Sequence, residues 1–282
     1  MKTNLLVAIK NIVNNPVTNL TSFYNSSNKI NSVGDSLELY IKDVFCNSLN
    51  ISDFNKKLEI FEKNFSFTGN KNNPPDIMII EGDAIEVKKT ESINSEIALN
   101  SSYPKDKLYS DSSMITEDCR LCENWKEKDM LYTIGVVSKN NILNSLWFVY
   151  GDCYAANKNT YERIINKISS GLNELSDVEF AVTNELGRVN KVDPLGITNL
   201  RIRGMWHIKN PNKVFNYIDL PIQTNFNLNA LILKDKYESF PPQDRKDIEN
   251  LKINGFSIKD VKIKSPNNPV KMINAKLILF RK

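Results

Sequence analysis

The chain has 282 residues, 41% of them hydrophobic, enough for one large domain or two small ones with a real core. A net charge of +4 and a pI near 8.7 are compatible with a polyanionic partner without requiring one. Ten glycines occur, yet neither G-x-x-x-x-G-K nor G-x-G-x-x-G does, which argues against a nucleotide-binding loop.

The chain opens with "MKTNLLVAIKNIVNN", where Leu5, Leu6, Ile9, Ile12 and Val13 share one helical face. It lacks the apolar run and cleavage site of a secretory leader, and no stretch reaches transmembrane length, so a cytoplasmic protein is expected. An Asn-rich loop follows through Asn31. "SVGDSLELYIKDVF" then reads as a helix, with Ser32 as cap, Asp35 three residues on, and Val33, Leu37, Tyr40, Ile41 and Val44 as its buried stripe. Glu38 lies at the edge of that stripe. A third helix is expected over Phe54–Asn64.

"NPPDIMIIEGDAIEVKK" reads as a β-hairpin: Ile77–Ile80 and Ala84–Val87 flank a turn at Glu81-Gly82-Asp83. Asp76 opens its first strand. Side chains alternate along the second, so Glu86 and Lys88 face one side and Val87 the other. Charges inside strands need pairing or a metal. The next piece, from Leu99 to Trp125, reads as long and irregular. "DMLYTIGVVS" and "NSLWFVYGDCYAA" read as strands rich in aromatic and β-branched residues. "TYERIINKISSGL" reads as a helix with Tyr161, Ile164, Ile165, Ile168 and Leu172 on one side. This order suggests an α/β layer with a mixed sheet.

Beyond about Leu175 the composition changes. Arginine, scarce elsewhere, gathers at Arg188, Arg201 and Arg203, and the last two share a face if they lie on a strand. Apolar runs in "NALILKD" and "AKLILF" point to a second, strand-containing lobe. The four cysteines, Cys46, Cys119, Cys122 and Cys153, include one C-x-x-C pair. With His207 the only histidine, reduced thiols are favoured over a structural zinc site. His207 is expected to be a packed or surface residue rather than a general base.

An acid, a spacer, then acid-x-lysine is the pattern of many metal-dependent nucleases. Two carboxylates suit hard cations such as Mg²⁺. The metal lowers the pKa of bound water and offsets charge on the attacked phosphate. The lysine positions or activates the nucleophile. In a charged chain the pattern recurs by chance: Asp247 followed by Asp260-Val261-Lys262 also fits, as does Asp244-Arg245-Lys246 as a bare D-x-K. Only Asp76, Glu86 and Lys88 have both arms on strands joined by a tight turn. Glu38, on the preceding helix, is a candidate to join the metal shell or orient a water. The plainer alternative is a solvent-facing hairpin with an ordinary Glu–Lys surface pair.

"NSVGDSLELYIKDVF", "FTGNKNNPPDIMIIEGDAIEVKKTES", "ALNSSYPKDKLYSDSSMI", "CRLCENW" and "SLWFVYGDCYAA" together resemble the NgoPII-type type II restriction endonucleases. The likeness is strongest over residues 30–165. It implies a PD-(D/E)XK fold, with residues 1–174 as nuclease core and 175–282 as a recognition lobe, across a soft boundary that leaves one continuous domain open. It also implies Mg²⁺-dependent cutting of duplex DNA at GGCC. Asp76, Glu86 and Lys88 then match the catalytic triad, with Pro75 before the acid, and Glu38 matches an upstream helix glutamate. Guanines present N7 and O6 acceptors in the major groove, best met by Arg or Lys. Arg188, Arg201 and Arg203 lead the candidates for DNA contact, with Asn199 and Lys191 behind them. Tyr103, Lys105 and Lys107 are expected at phosphates or the minor groove. A palindromic target implies a homodimer, and restriction implies a cognate methyltransferase in the same cell. Two other classes stay open: a structure-specific repair or recombination nuclease with the same triad, and a DNA-binding protein with a decayed site.

Overall fold

The computed structural model describes residues 2–24, 33–69, 73–174, 179–181, 183, 186–222 and 224–282. Four helices lead: α1 (Leu5–Asn14), α2 (Leu20–Tyr24), α3 (Val33–Cys46) and α4 (Phe54–Glu62). The first six strands and α5 follow as β1 (Phe65–Thr68), β2 (Ile77–Ile79), β3 (Ala84–Thr90), β4 (Ile97–Ala98), β5 (Lys107–Tyr109), α5 (Glu117–Leu121) and β6 (Glu127–Val137). Then come β7 (Leu143–Tyr150), α6 (Gly151–Tyr154), α7 (Lys158–Asn173), β8 (Glu179–Phe180), β9 (Gly187–Asn190), β10 (Leu200–Ile202) and β11 (His207–Ile208). The chain closes with α8 (Pro211–Val214), β12 (Asn227–Leu233), α9 (Lys234–Ser239), α10 (Pro242–Glu249), β13 (Phe256–Ser265) and β14 (Asn268–Arg281).

Nine strands form one sheet in the order β1-β2-β3-β6-β7-β12-β14-β13, with β5 added to the start of β6. β3 with β6 and β7 with β12 are parallel, and the other pairs are antiparallel. This is the mixed α/β sheet expected of a restriction-endonuclease-like core. The central strands are covered on both faces, so β7 and β12 read as near-continuous apolar runs rather than alternations. The expected boundary near residue 175 falls between α7 and β8. Strands β12, β14 and β13, from beyond it, continue the sheet that β3, β6 and β7 begin.

Local chemistry explains the helices. Asn4 caps α1 by accepting from the Leu6 and Val7 N–H groups at 2.9 and 3.3 Å, and all five apolar positions of its expected stripe are buried. In α3, Leu37, Tyr40, Ile41 and Val44 are fully buried. The expected Ser32 cap lies outside the described residues, as do the side chains of Val33 and Asp35. α3 is tied to its neighbours through Asp43, which accepts from Tyr24, Ser48 and Lys57 at 2.7, 2.6 and 2.5 Å. A carboxylate this buried stands only when its acceptors are filled.

Three expectations change. The "GDCY" end of the seventh strand turns into α6, where the Gly151 backbone abuts the carbonyls of Lys105 and Asp106 and a Cβ has no room. The irregular stretch carries β5 and α5. The apolar stripe of α7 is only partly covered: Ile164 and Ile168 are 40% and 43% exposed. The reason is what α7 packs on. Its Leu172 and Ser169 meet Gly187 and the Leu186 carbonyl at the β8–β9–β10 arm, a three-stranded sheet too narrow to cover a four-turn helix.

The β2–β3 turn is fastened from beneath. Asp83 accepts from the Tyr150 hydroxyl at 2.5 Å and pairs with Lys236 at 2.6 Å; Lys236 also pairs with Asp129 at 2.7 Å. Lys128 donates to the carbonyls of Ile79 and Gly82 at 3.0 and 2.9 Å. Removing one partner of such a pair strands the other. Lys236→Met is therefore expected to cost roughly 3 kcal/mol in urea unfolding; a loss too small to measure would show that the turn holds without this clamp.

Candidate active site

The hairpin brings together three of the residues singled out in the sequence. Asp76 sits just before β2, with its N–H donating to the Ile85 carbonyl at 3.1 Å and its own carbonyl accepting from Gly69 at 2.7 Å. The register Ile77↔Ile85 puts Asp76 beside the middle of β3. Its Oδ2 accepts from the Val87 N–H at 2.6 Å, between Glu86 and Lys88. Glu86 and Lys88, two apart on β3, point the same way, and Lys88 Nζ lies 2.6 Å from Glu86 Oε1. Val87 turns to the opposite side and packs on the core. A solvent-facing hairpin with a surface ion pair does not describe this arrangement: Glu86 is buried.

The electrostatics are unbalanced. Burial, then the neighbouring Glu86 carboxylate, pushes the Asp76 carboxyl up to about 7, against the pull of Lys88 and the Val87 N–H. Burial works against the Lys88 ammonium, but Glu86 and Asp76 outweigh it and hold its pKa above the ordinary lysine value. Glu86 Oε2 is buried and has no hydrogen-bond partner among the described residues. Two carboxylates, one with an orphaned oxygen, leave negative charge that one lysine does not satisfy. Oxygen donors of this kind fit a hard divalent cation. Among the described residues no group of three His, Cys, Asp or Glu side chains converges, so the site is a carboxylate pair, with water and substrate oxygens left to complete a shell. Glu38 is ion-paired with Lys42 at 2.7 Å, one turn along α3. From there its charge reaches both Asp76 and Lys88.

The triad lines an open cavity of about 860 Å³. Its other walls include the Asn100–Ser102 loop and, from the arm, Arg201 and Arg203. Their spacing gives Arg201 and Arg203 one face if both lie on a strand. β10 ends at Ile202, so Arg203 lies just beyond it, yet both reach the cavity. Arg188 faces Arg201 across the β9–β10 ladder. Asn199 accepts from the Lys191 N–H at 3.3 Å and shapes the loop between those strands.

Tyr103, Lys105 and Lys107 line a second cavity beside the first, together with Arg203. Lys107 is engaged by Glu127 at 2.5 Å. His207 is on the small β4–β11 ladder with Nδ1 3.6 Å from Glu96, half exposed and outside both cavities. The rival patterns do not converge: Asp247 pairs with Lys10, Asp260 with Lys276, and Asp244 accepts from Asn4. All four cysteines are free thiols; burial pushes Cys119 up to about 12. The sequence reading missed Tyr132, which stands opposite Glu86 on β6 and whose hydroxyl accepts from the Lys105 N–H at 2.7 Å. Only a known strand register could have found it.

A mixed sheet whose hairpin offers an acid, a second acid and a lysine to a cleft walled by arginines is the arrangement expected of a nuclease of the PD-(D/E)XK class. The family model described as NgoPII restriction endonuclease matches residues 3–264. The chain is also 47% identical to the type II restriction enzyme NgoPII of Neisseria gonorrhoeae over 278 residues, 98% of this chain and 99% of that protein. No solved structure matches it. The chain belongs to the NgoPII restriction endonuclease family and is a DNA-cleaving type II enzyme. Among its described residues no helix is long and apolar enough to cross a membrane.

The raised Asp76 pKa sets a stability test. A folded-state carboxyl held above its ordinary range favours the protonated form, so its stabilising effect is present at low pH and lost as pH rises through about 7. Above that, ionised Asp76 weighs against the metal-free fold. Asp76→Asn is expected to raise Tm in EDTA at mildly alkaline pH, while Mg²⁺ or Ca²⁺ raises Tm for the parent alone. Equal response of the two proteins to the cation in thermal scans would remove Asp76 from cation binding.

Proposed function

We propose that this enzyme hydrolyses a phosphodiester in each strand of duplex DNA at GGCC, with Mg²⁺ held by Asp76 and Glu86. The convergence of Asp76, Glu86 and Lys88 in a cleft whose far wall carries Arg201 and Arg203 is the observation that carries this reading. A bound Mg²⁺ supplies Lewis-acid chemistry, making water a nucleophile near neutral pH and offsetting charge on the phosphate. The chain's own groups do the rest. Asp76 is held in place by the Val87 N–H, so its carboxylate needs no rearrangement before cutting. Lys88, steadied by Glu86, orients the attacking water and balances charge gathering on the phosphate. Glu86 and Asp76 keep Lys88 protonated against its burial, and Glu38 adds a smaller pull.

Arg201, Arg203 and Arg188, with Lys191 and Asn199, read or hold the DNA from the arm. Two-fold symmetry in the target favours a homodimer with one active site per strand. A methyltransferase of the same specificity protects the host chromosome in the cytoplasm where the enzyme works. Digestion of a plasmid of known sequence with Mg²⁺, followed by mapping of the ends, tests the reading; ends outside GGCC would redirect it.

Two variants separate the roles. Lys88→Ala is expected to lose cleavage by about a hundredfold or more while still binding cognate duplex in Ca²⁺, because its ammonium serves the reaction rather than the groove. Cutting at a near-parental rate would take Lys88 out of the mechanism. Arg201→Ala or Arg203→Ala is expected to cost about 1–3 kcal/mol of discrimination between GGCC and scrambled duplexes. If both duplexes lose affinity equally and the salt slope drops by about one unit, these arginines hold backbone only.

A further inference from the structure

Three lysines are fewer than one-tenth exposed among the described residues: Lys57, Lys105 and Lys128. Lys57 is paired with Asp43 and Lys128 with Glu123. Lys105 has no carboxylate ion-pair partner among the described residues. Its Nζ contacts the Ser102 hydroxyl and the Tyr103 carbonyl, the latter at 3.2 Å, and lies 4.5 Å from the centre of the Tyr103 ring. Burying a cation without an anion is costly unless an anion arrives.

The position of Lys105 is closely fixed. Its N–H is bonded to Tyr132, the cross-strand neighbour of Glu86. Its carbonyl rests on the Gly151 backbone, where a Cβ would collide. It lines a cavity of about 310 Å³ whose walls also include Tyr103, Lys158, Glu162 and Trp206. That cavity shares Ser101, Ser113, Met114, Arg203 and Gly204 with the catalytic cleft, so the two adjoin. Tyr103 and Trp206 meet edge to face with ring centres 6.3 Å apart, giving the cavity an apolar wall. The Tyr103 hydroxyl occupies Glu162 at 3.2 Å and so partly shields that carboxylate from a bound anion.

We propose that this adjoining cavity seats a backbone phosphate next to the scissile one, with the Lys105 ammonium as its ligand, and that Lys105 thereby positions the strand for cleavage. The inference rests on the nuclease reading above and deepens it. A phosphodiester carries one negative charge, the number that Lys105 lacks. Burial pulls the Lys105 pKa down to about 8, against the pull of Glu86, as expected of a cation whose counter-charge comes with the substrate. Lys107, engaged by Glu127, and Lys158, set over the Tyr109 ring at 4.6 Å, have other contacts and stand at the rim.

The test pairs the side chain with the phosphate. Cognate duplexes carrying one uncharged methylphosphonate at each position around the cut are cleaved under single-turnover conditions by the parent, Lys105→Met and Lys105→Arg. One flanking methylphosphonate is expected to slow the parent by about tenfold to a hundredfold, the effect of one lost charge-assisted hydrogen bond. Lys105→Met should be slowed similarly on native DNA and little further by that same substitution. Lys105→Arg should recover part of the rate on native DNA and regain sensitivity to that position. A purely structural role for Lys105 would instead make the two penalties multiply at every position, and would overturn the proposal. If Lys105→Met does not fold, the parent scan decides with Lys105→Arg: no sensitive flanking phosphate in the parent, or an arginine rate loss as large on the flanking methylphosphonate duplex as on native DNA, refutes it. Failure of the parent to cut unmodified GGCC duplex would bring down the broader reading and this one together, whereas cutting without coupling removes this one alone.

Discussion

The buried Asp83 carboxylate, held by the Tyr150 hydroxyl and the Lys236 ammonium, is the interaction on which the site depends. It lies at the turn that joins β2 to β3, and the elements that grip it come from far along the chain: β7 for Tyr150, α9 for Lys236. With the turn fixed, the short β2 has one register against β3, and that register puts the Asp76 carboxylate on the Val87 N–H. A slip of one residue would turn Glu86 and Lys88 to the other face. The late strands and helices of the chain thus contribute to the site without entering it.

Charge burial in this molecule follows two rules in two places. In the scaffold, buried charges are met by partners: Asp43 by Lys57, Lys128 by Glu123 and Asp83 by Lys236, while the Asp244 carboxylate accepts from the Asn4 amide. In the cleft the charges do not balance. Asp76 and Glu86 have one lysine between them, and Lys105 nearby has no ion-pair partner among the described residues, only the longer-range pull of Glu86. A fold that pairs its charges elsewhere leaves them uncompensated in this cleft, the place the proposed function assigns to a cation and a polyanion. Strain of this kind is a common companion of active sites.

The arm is joined to the core by few but specific links. Leu99 N–H donates to the Trp206 carbonyl and Trp206 N–H to the Asn100 carbonyl, both at 2.8 Å, and Trp206 meets the stacked Tyr103 and Tyr161 rings edge to face at that junction. The same loop that lines the catalytic cleft therefore carries the arm bearing Arg201 and Arg203. Such a junction fixes the distance between the arm and the Asp76, Glu86 and Lys88 cluster.

Much was legible in the sequence because it was local. Periodicity found α1 and α3, turn chemistry found the hairpin, and alternation along β3 paired Glu86 with Lys88. The rival Asp260 and Lys262 were set aside on the same local grounds, and Asp260 does sit on an exposed strand paired with Lys276. What depended on distant pairing was not legible. Nothing near Ile164 and Ile168 tells that α7 meets only a narrow arm, so its apolar stripe stays half uncovered. Lys105 and Lys107 are two residues apart and look alike in the sequence. Tertiary structure alone decided that one is buried against Tyr132 beneath the cleft and the other is paired with Glu127 at the rim, because burial and charge pairing depend on which strands become neighbours.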